Sequence, residues 1–144
     1  MIVRRGKDVQ KIDVGKTFGL PEGVQIIQWY FDRNIGDEKY HHKFAVRKYT
    51  MKPGVKMENA PFHYHKYVQA PFIISGRMRF ENPDGEVGEV GPGDEVIFAE
   101  NEPHRGEIIG NEPVELICII DCVDNGDCCD PTAPQEGIIK LKKA

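Results

Sequence analysis

The sequence predicts an all-β chain with a closed or double-sheet topology. Three observations lead there. Fifteen Gly and ten Pro among 144 residues are more than a helical protein usually carries and suit a chain rich in turns. Turn signals recur along the sequence, most of them roughly 8 to 12 residues apart, the spacing of short strands in a sandwich or barrel. The runs between the turns are rich in β-branched and aromatic residues and show no sustained 3.6-residue period.

Taken in order, the elements begin with an N-terminal arm, residues 1–22, that has no helix pattern. Gly23–Phe31 (GVQIIQWYF) and Phe44–Met51 (FAVRKYTM) are the first two expected strands, the second stopped by Lys52-Pro53-Gly54. Pro71–Ser75 runs into the Ser75-Gly76 turn, and Arg77–Glu81 follows. The turn Asn82-Pro83-Asp84-Gly85 predicts an antiparallel hairpin between Arg77–Glu81 and Val87–Val90. Gly91-Pro92-Gly93-Asp94 leads into an expected strand Glu95–Ala99, Asn101-Glu102-Pro103 is a turn, and Gly110-Asn111-Glu112-Pro113 leads into Val114–Ile120. After Cys122 the chain reads as a loop followed by a short amphipathic end, Ile138–Leu141.

Length and composition bound the function. A chain of 144 residues is one domain's worth, so a single domain over 1–144 is expected. Nineteen Lys and Arg against 23 Asp and Glu give a net charge of −4, which offers a phosphate backbone no counter-surface and argues against a nucleic-acid partner. The longest uncharged stretch, Tyr67–Gly76, is too short to span a bilayer. Met1-Ile2-Val3-Arg4-Arg5 is basic but has no apolar run behind it, so a cytoplasmic location is expected. Cys118, Cys122, Cys128 and Cys129 cluster near one end, unlike a secreted disulfide framework. The expectation is reduced thiols or a local redox or metal role.

The most informative stretch is Pro61-Phe62-His63-Tyr64-His65-Lys66-Tyr67-Val68-Gln69. On a strand, residues i and i+2 share a face, so His63 and His65 can present two imidazoles to one point, and Gln69 keeps that parity. Two imidazoles are half of a transition-metal site. His104, after the Gly93–Phe98 run, is the natural third donor.

Gly54, His63, His65, Gln69 and Gly76, followed by Gly93-Asp94 and Pro103-His104, resemble the two motifs of the cupin family. Three departures stand out. The spacer between Gly54 and His63, residues 55–62, is longer than the family's; Glu102-Pro103-His104 replaces a Pro-x-Gly-x-x-His ending; and Gln69 stands where the family most often has Glu. The stretch resembling a small single-domain cupin is about 26–123, leaving the arm 1–22 and an Asp- and Cys-rich tail, 121–144. The resemblance implies a double-stranded β-helix, or jelly roll, and a divalent transition metal (Zn, Ni, Fe, Mn or Co) held by His63, His65, Gln69 and His104.

Other residues are weighed against simpler roles. His41 and His42 are adjacent, point to opposite faces of any strand and suit a solvated loop. Arg47 with Tyr49, and Arg77 with Arg79, share parity; a set facing the cavity could clamp a substrate carboxylate, although outward-facing arginines are commoner on a barrel. Trp29 and Tyr30 suit the core or an interface. Asp121–Asp130 carries four Asp and three Cys, yet lacks the alternate Asp and twelfth-position Glu of an EF-hand loop and any Cys-x-x-Cys. A solvated acidic loop, a second metal site and a redox pair remain open there.

The functional expectation is a metal-dependent enzyme acting on a small oxygen-bearing molecule by Lewis-acid chemistry, as an isomerase, lyase or cyclase, with Tyr49, Tyr64, Tyr67 and Glu100 as candidate acids or bases. Alternatives are a non-catalytic small-ligand binder or sensor, and a cupin dioxygenase. The neutral amide of Gln69 leaves the site more positive than a Glu would, which favours non-redox chemistry on a carboxylate or enolate. Metal occupancy is expected to fall below roughly pH 6, where free imidazole protonates. A homodimer is expected, with the arm and the apolar run Val24–Phe31 pairing against a partner's sheet.

Overall fold

The computed structural model describes residues 1–15, 20–31, 35–121 and 139–140. Among them the strands are β1 (Ile12–Asp13), β2 (Gln25–Phe31), β3 (Phe44–Met51), β4 (His63–Tyr64), β5 (Gln69–Ser75), β6 (Met78–Glu81), β7 (Val87–Val90), β8 (Arg105–Ile108), β9 (Val114–Asp121) and β10 (Ile139–Lys140). Helical structure among these residues is confined to short 3₁₀ turns, and none is long and apolar enough to cross a membrane. Five strands form one antiparallel sheet in the order β1-β2-β3-β9-β5, three form another in the order β7-β6-β8, and β4 pairs with β10.

Period-two alternation selects the inner face. Ala45, Arg47 and Tyr49 on β3 are buried, as are Val114, Leu116, Cys118 and Ile120 on β9 and Gln69, Pro71 and Ile73 on β5. The β3–β9 register sets Arg47 opposite Cys118 and Tyr49 opposite Leu116. Met78, with Phe80 partly buried beside it, closes this core from the smaller sheet. The expected hairpin forms as β6–β7, its turn locked by Asn82, whose side-chain oxygen accepts the N–H groups of Asp84 and Glu86 at 3.1 and 3.0 Å.

Three expectations are corrected. Glu95–Ala99 is not a regular strand but a broken ladder along β5. Gln69 and Phe98 exchange both backbone hydrogen bonds, and Ile73 donates to Asp94 at 2.9 Å. Between them Val96 donates to Pro71, which has no N–H to return. The strand β8 is not among the expected strands, and it contains Gly106. A Cβ at Gly106 would sit 2.9 Å from the Phe80 ring on the paired strand, so this glycine makes room for an aromatic neighbour.

The N-terminal arm is engaged by its own chain. Its β1 covers the edge of β2, with Ile12 opposite Ile27. Gln28 donates to the carbonyls of Gly6 and Val9, both at 3.0 Å, and Arg4 donates to those of Trp29 and Tyr30, both at 3.2 Å. The edge that a partner's strand was expected to satisfy is therefore satisfied internally. Cys122, Cys128, Cys129 and most of the Asp- and Cys-rich tail lie outside the described residues.

Candidate metal centre

Backbone pairing brings the histidines together. His63 on β4 and His104, at the entrance to β8, exchange N–H···O bonds at 3.0 and 2.9 Å. β4 ends at Tyr64, so His65 is not on a continuous strand with Gln69; its carbonyl is held by the N–H of Asn101 at 2.7 Å. Asn101 has a positive φ of 60°, a conformation asparagine tolerates well in tight turns. The departures from the usual second motif thus fold into the turn that presents His104. In it, Glu102 caps the Ala99 N–H at 2.7 Å and its carbonyl lies 2.9 Å from His104 Nδ1.

One donor nitrogen from each of His63, His65 and His104 lies within 4.8 Å of the others. His104 stacks on Phe98 with centroids 3.7 Å apart, and His65 stacks on Tyr67 at 5.0 Å. Nδ1 of His63 is 3.4 Å from the Pro61 carbonyl, so in both His63 and His104 a carbonyl faces Nδ1. That arrangement favours the tautomer with the proton on Nδ1 and a free lone pair on Nε2.

Burial is the main cause of a depressed pKa in each ring. It lowers His63 to about 4, with help from His104 and against the Pro61 carbonyl, and lowers His104 to about 4 against the Glu102 carbonyl. His65 falls to about 2 through burial, then His63, Arg47 and His104. All three are neutral at pH 7.

The remaining donors fit a metal as well. Gln69 is buried at the start of β5, and its Oε1 and the Nδ1 of His65 have no hydrogen-bond partner among the described residues. Buried polar atoms without partners are costly. A cation beside three neutral imidazoles would satisfy the amide oxygen, and nitrogen with amide-oxygen donors suit a first-row transition metal.

The four residues form one wall of a cavity of about 140 Å³ whose other walls are largely apolar. Tyr49 also lines it, with its phenol pushed up by burial although Arg47 opposes the shift. Tyr64 and Tyr67 do not line it; Tyr67 backs His65 instead. Glu100 is exposed and 3.5 Å from the Asn101 amide. Of the two arginine sets, Arg47 points inward but stands outside the cavity wall, buried under the rings of Trp29, Tyr49 and Tyr67 at 5.1, 5.2 and 5.8 Å, with Nη2 3.5 Å from Cys118 Sγ. Arg77 and Arg79 face outward, Arg79 pairing with Glu89 and Glu107 at 3.4 Å each. His42 does not sit in a bare loop: it stacks on Phe31 at 3.7 Å, while His41 is exposed. Sequence reasoning missed the apolar walls. Met51 has the parity of Arg47 and Tyr49, which was signal enough; nothing local linked Phe98 to His104.

An all-β jelly-roll barrel with a three-histidine cluster at one wall defines the class of the protein. The description "Cupin domain" matches residues 47–120, and the chain belongs to the cupin family. Among solved structures, the polyketide cyclase RemF from Streptomyces resistomycificus is 18% identical, covering 100% of this chain and 87% of that one, with a TM-score of 0.68. An oxalate decarboxylase of B. subtilis is 19% identical over 94% of this chain and 31% of that one, with a TM-score of 0.63. An RmlC-like cupin from Shewanella frigidimarina is 18% identical over 85% of this chain and 91% of that one, with a TM-score of 0.59. At these identities the likeness is one of fold. No curated protein matches the sequence.

Proposed function

We propose that the chain is a metal-dependent enzyme acting on a small oxygen-bearing molecule, with one divalent transition metal ion (Zn, Ni, Fe, Mn or Co) held by His63, His65, Gln69 and His104. The observation that carries this reading is the convergence of three neutral, buried imidazoles within 4.8 Å of one another. When bound, the ion supplies Lewis-acid polarisation of an oxygen donor. The protein's own contribution is positional: carbonyls orient His63 and His104, Phe98 and Tyr67 fix two ring planes, and apolar walls exclude water. Gln69 contributes no charge, which favours isomerase, lyase or cyclase chemistry over dioxygen activation. Polyketide cyclase and oxalate decarboxylase activities among the structural neighbours support non-redox and lyase chemistry as options for this fold.

Elemental analysis tests the site. The wild type is expected to carry close to one metal ion per chain, His63→Ala and His104→Ala to lose it, and Gln69→Glu to keep it because carboxylate is also a donor. Equal occupancy in the wild type and both alanine variants would sink the reading.

A second reading, a small-ligand binder without turnover, draws on Tyr49: it is the one nominated acid or base in the cavity wall among the described residues, and burial pushes its phenol up, making it a weaker acid than a free tyrosine. We also propose a homodimer, supported by apolar side chains left exposed on the outer sheet face, and a cytoplasmic location.

A further inference from the structure

The cavity is chemically lopsided. His63, His65, Gln69 and His104 supply most of its polar groups, with Gln25 and the Tyr49 phenol as further polar lining, while Met51, Met78, Phe80, Phe98, Ile108 and Leu116 contribute apolar surface elsewhere. Among the described residues, Lys52 and Glu107 are the two Lys, Arg, Asp or Glu side chains that border it. Lys52 is exposed, just past the end of β3. Glu107 belongs to β8 and its carboxylate is already engaged, 3.4 Å from Arg79 and accepting the Met57 N–H at 2.7 Å. The inward positions of β8 are instead Gly106, under the Phe80 ring, and Ile108.

We infer that the ligand of this barrel is a compact, mainly apolar molecule with a single anionic oxygen head: a carboxylate or phenolate attached to one ring-sized body. The head's destination rests on the metal reading above; the body's does not. The chamber is open to solvent on one side, and its volume of about 140 Å³ has room for one benzene ring. A sugar, a hydroxy acid or a dicarboxylate would bring several hydroxyls or a second carboxylate into a chamber where, beyond the histidine wall, Gln25 and the Tyr49 phenol, they meet mostly Met, Phe, Ile and Leu side chains, which cannot hydrogen-bond them. Buried polar groups without partners strongly disfavour such ligands. A ring there gains by leaving water, and Lys52 at the border attracts an anion on its approach.

Four methionines make the inference directly readable: Met51 and Met78 line the cavity, whereas Met1 and Met57 do not. With methyl-¹³C methionine in the full chain, benzene added to metal-free protein is expected to move the Met51 and Met78 resonances saturably and to leave Met1 and Met57 in place. In cobalt-loaded protein, benzoate is expected to move the same two resonances and perturb the visible spectrum at least tenfold more tightly than oxalate or gluconate. Met51→Gln should weaken benzoate about tenfold, read at Met78, with little effect on oxalate. Oxalate or gluconate binding as tightly as benzoate overturns the inference, as does benzene moving neither cavity methyl. Methyl shifts with no response of the cobalt spectrum would instead uphold the apolar pocket and sink the metal reading, so the two failures are distinguishable.

Discussion

The histidines do opposite things in the folded and unfolded chain. Free imidazole titrates near 6.5, whereas burial has lowered His63 and His104 to about 4 and His65 to about 2. Between pH 6.5 and 4 the unfolded chain binds protons that the metal-free folded chain does not, so stability rises with pH there and is lost as pH falls. Each group contributes at most about 1.4 kcal/mol per pH unit in that window. Chemical denaturation of metal-free protein is therefore expected to show a midpoint that drops steeply from pH 6.5 to 4 and is flat from 7 to 8.5 with respect to these groups. His63→Gln and His104→Gln should each flatten the drop; an unaltered slope in both would contradict the burial assignment. The same burial makes protons weaker competitors for these nitrogens than for a free imidazole, so loss of a bound metal on acidification is expected at lower pH than free imidazole sets. The identity of the donors was legible in His-x-His, but their lowered basicity was not, since it comes from neighbours far away in sequence.

At the scale of elements, the crossing from the larger to the smaller sheet depends on Gly76, between β5 and β6. Its φ is 79°, and a Cβ there would meet the Pro113 carbonyl oxygen at 2.5 Å and Val114 Cα at 3.0 Å. Both are backbone atoms of the approach to β9, which cannot swing aside. Gly85, in the β6–β7 turn, has a similar φ of 83° but nothing within 4 Å of the added Cβ. Gly85→Ala is expected to cost about 1–2 kcal/mol from backbone strain alone, and Gly76→Ala about 3 kcal/mol or more because overpacking adds to it. Urea denaturation of the two variants checks the difference, and equal costs would remove the close-approach argument. The sequence marked both positions as turns with equal force. Only the approach of a segment some forty residues away separates them. The same kind of distant contact explains the glycine within β8, Gly106, where an added Cβ would meet the Phe80 ring at 2.9 Å.

At the scale of the whole molecule, the described residues expose part of the larger sheet's outer face. Phe72, Ile74, Ile119 and Phe44 occupy outward positions on β5, β9 and β3 and are 41 to 44% exposed. Register sets Phe72 beside Ile117 and Ile119 between Ala70 and Val46, so this is one contiguous apolar surface. Contiguous exposed apolar patches favour association. Because the arm is already spent on its own sheet, this face is the surface for the proposed dimer. Light scattering at micromolar concentration is expected to give about 33 kDa, twice the chain's 16.3 kDa, and Ile119→Lys to give the single-chain mass. A wild-type monomer would remove the proposal.

What the sequence determined by itself was local. Alternation and turn chemistry act between neighbours, so the all-β class, the β6–β7 hairpin, the full extent of β3 and the pairing of His63 with His65 could be read directly. A period of two, however, divides a strand into two faces without saying which is inside. Arg47 with Tyr49 and Arg77 with Arg79 had the same pattern, yet one pair turned inward beneath aromatic rings and the other outward, with Arg79 meeting carboxylates. That choice belongs to non-local strand pairing, because β3 lies between β2 and β9 while β6 lies between β7 and β8. Tertiary structure likewise decided where the wall of His63, His65 and His104 meets an apolar chamber: Met51, Phe98 and Leu116 come from distant segments and line one cavity only when the sheets close over them.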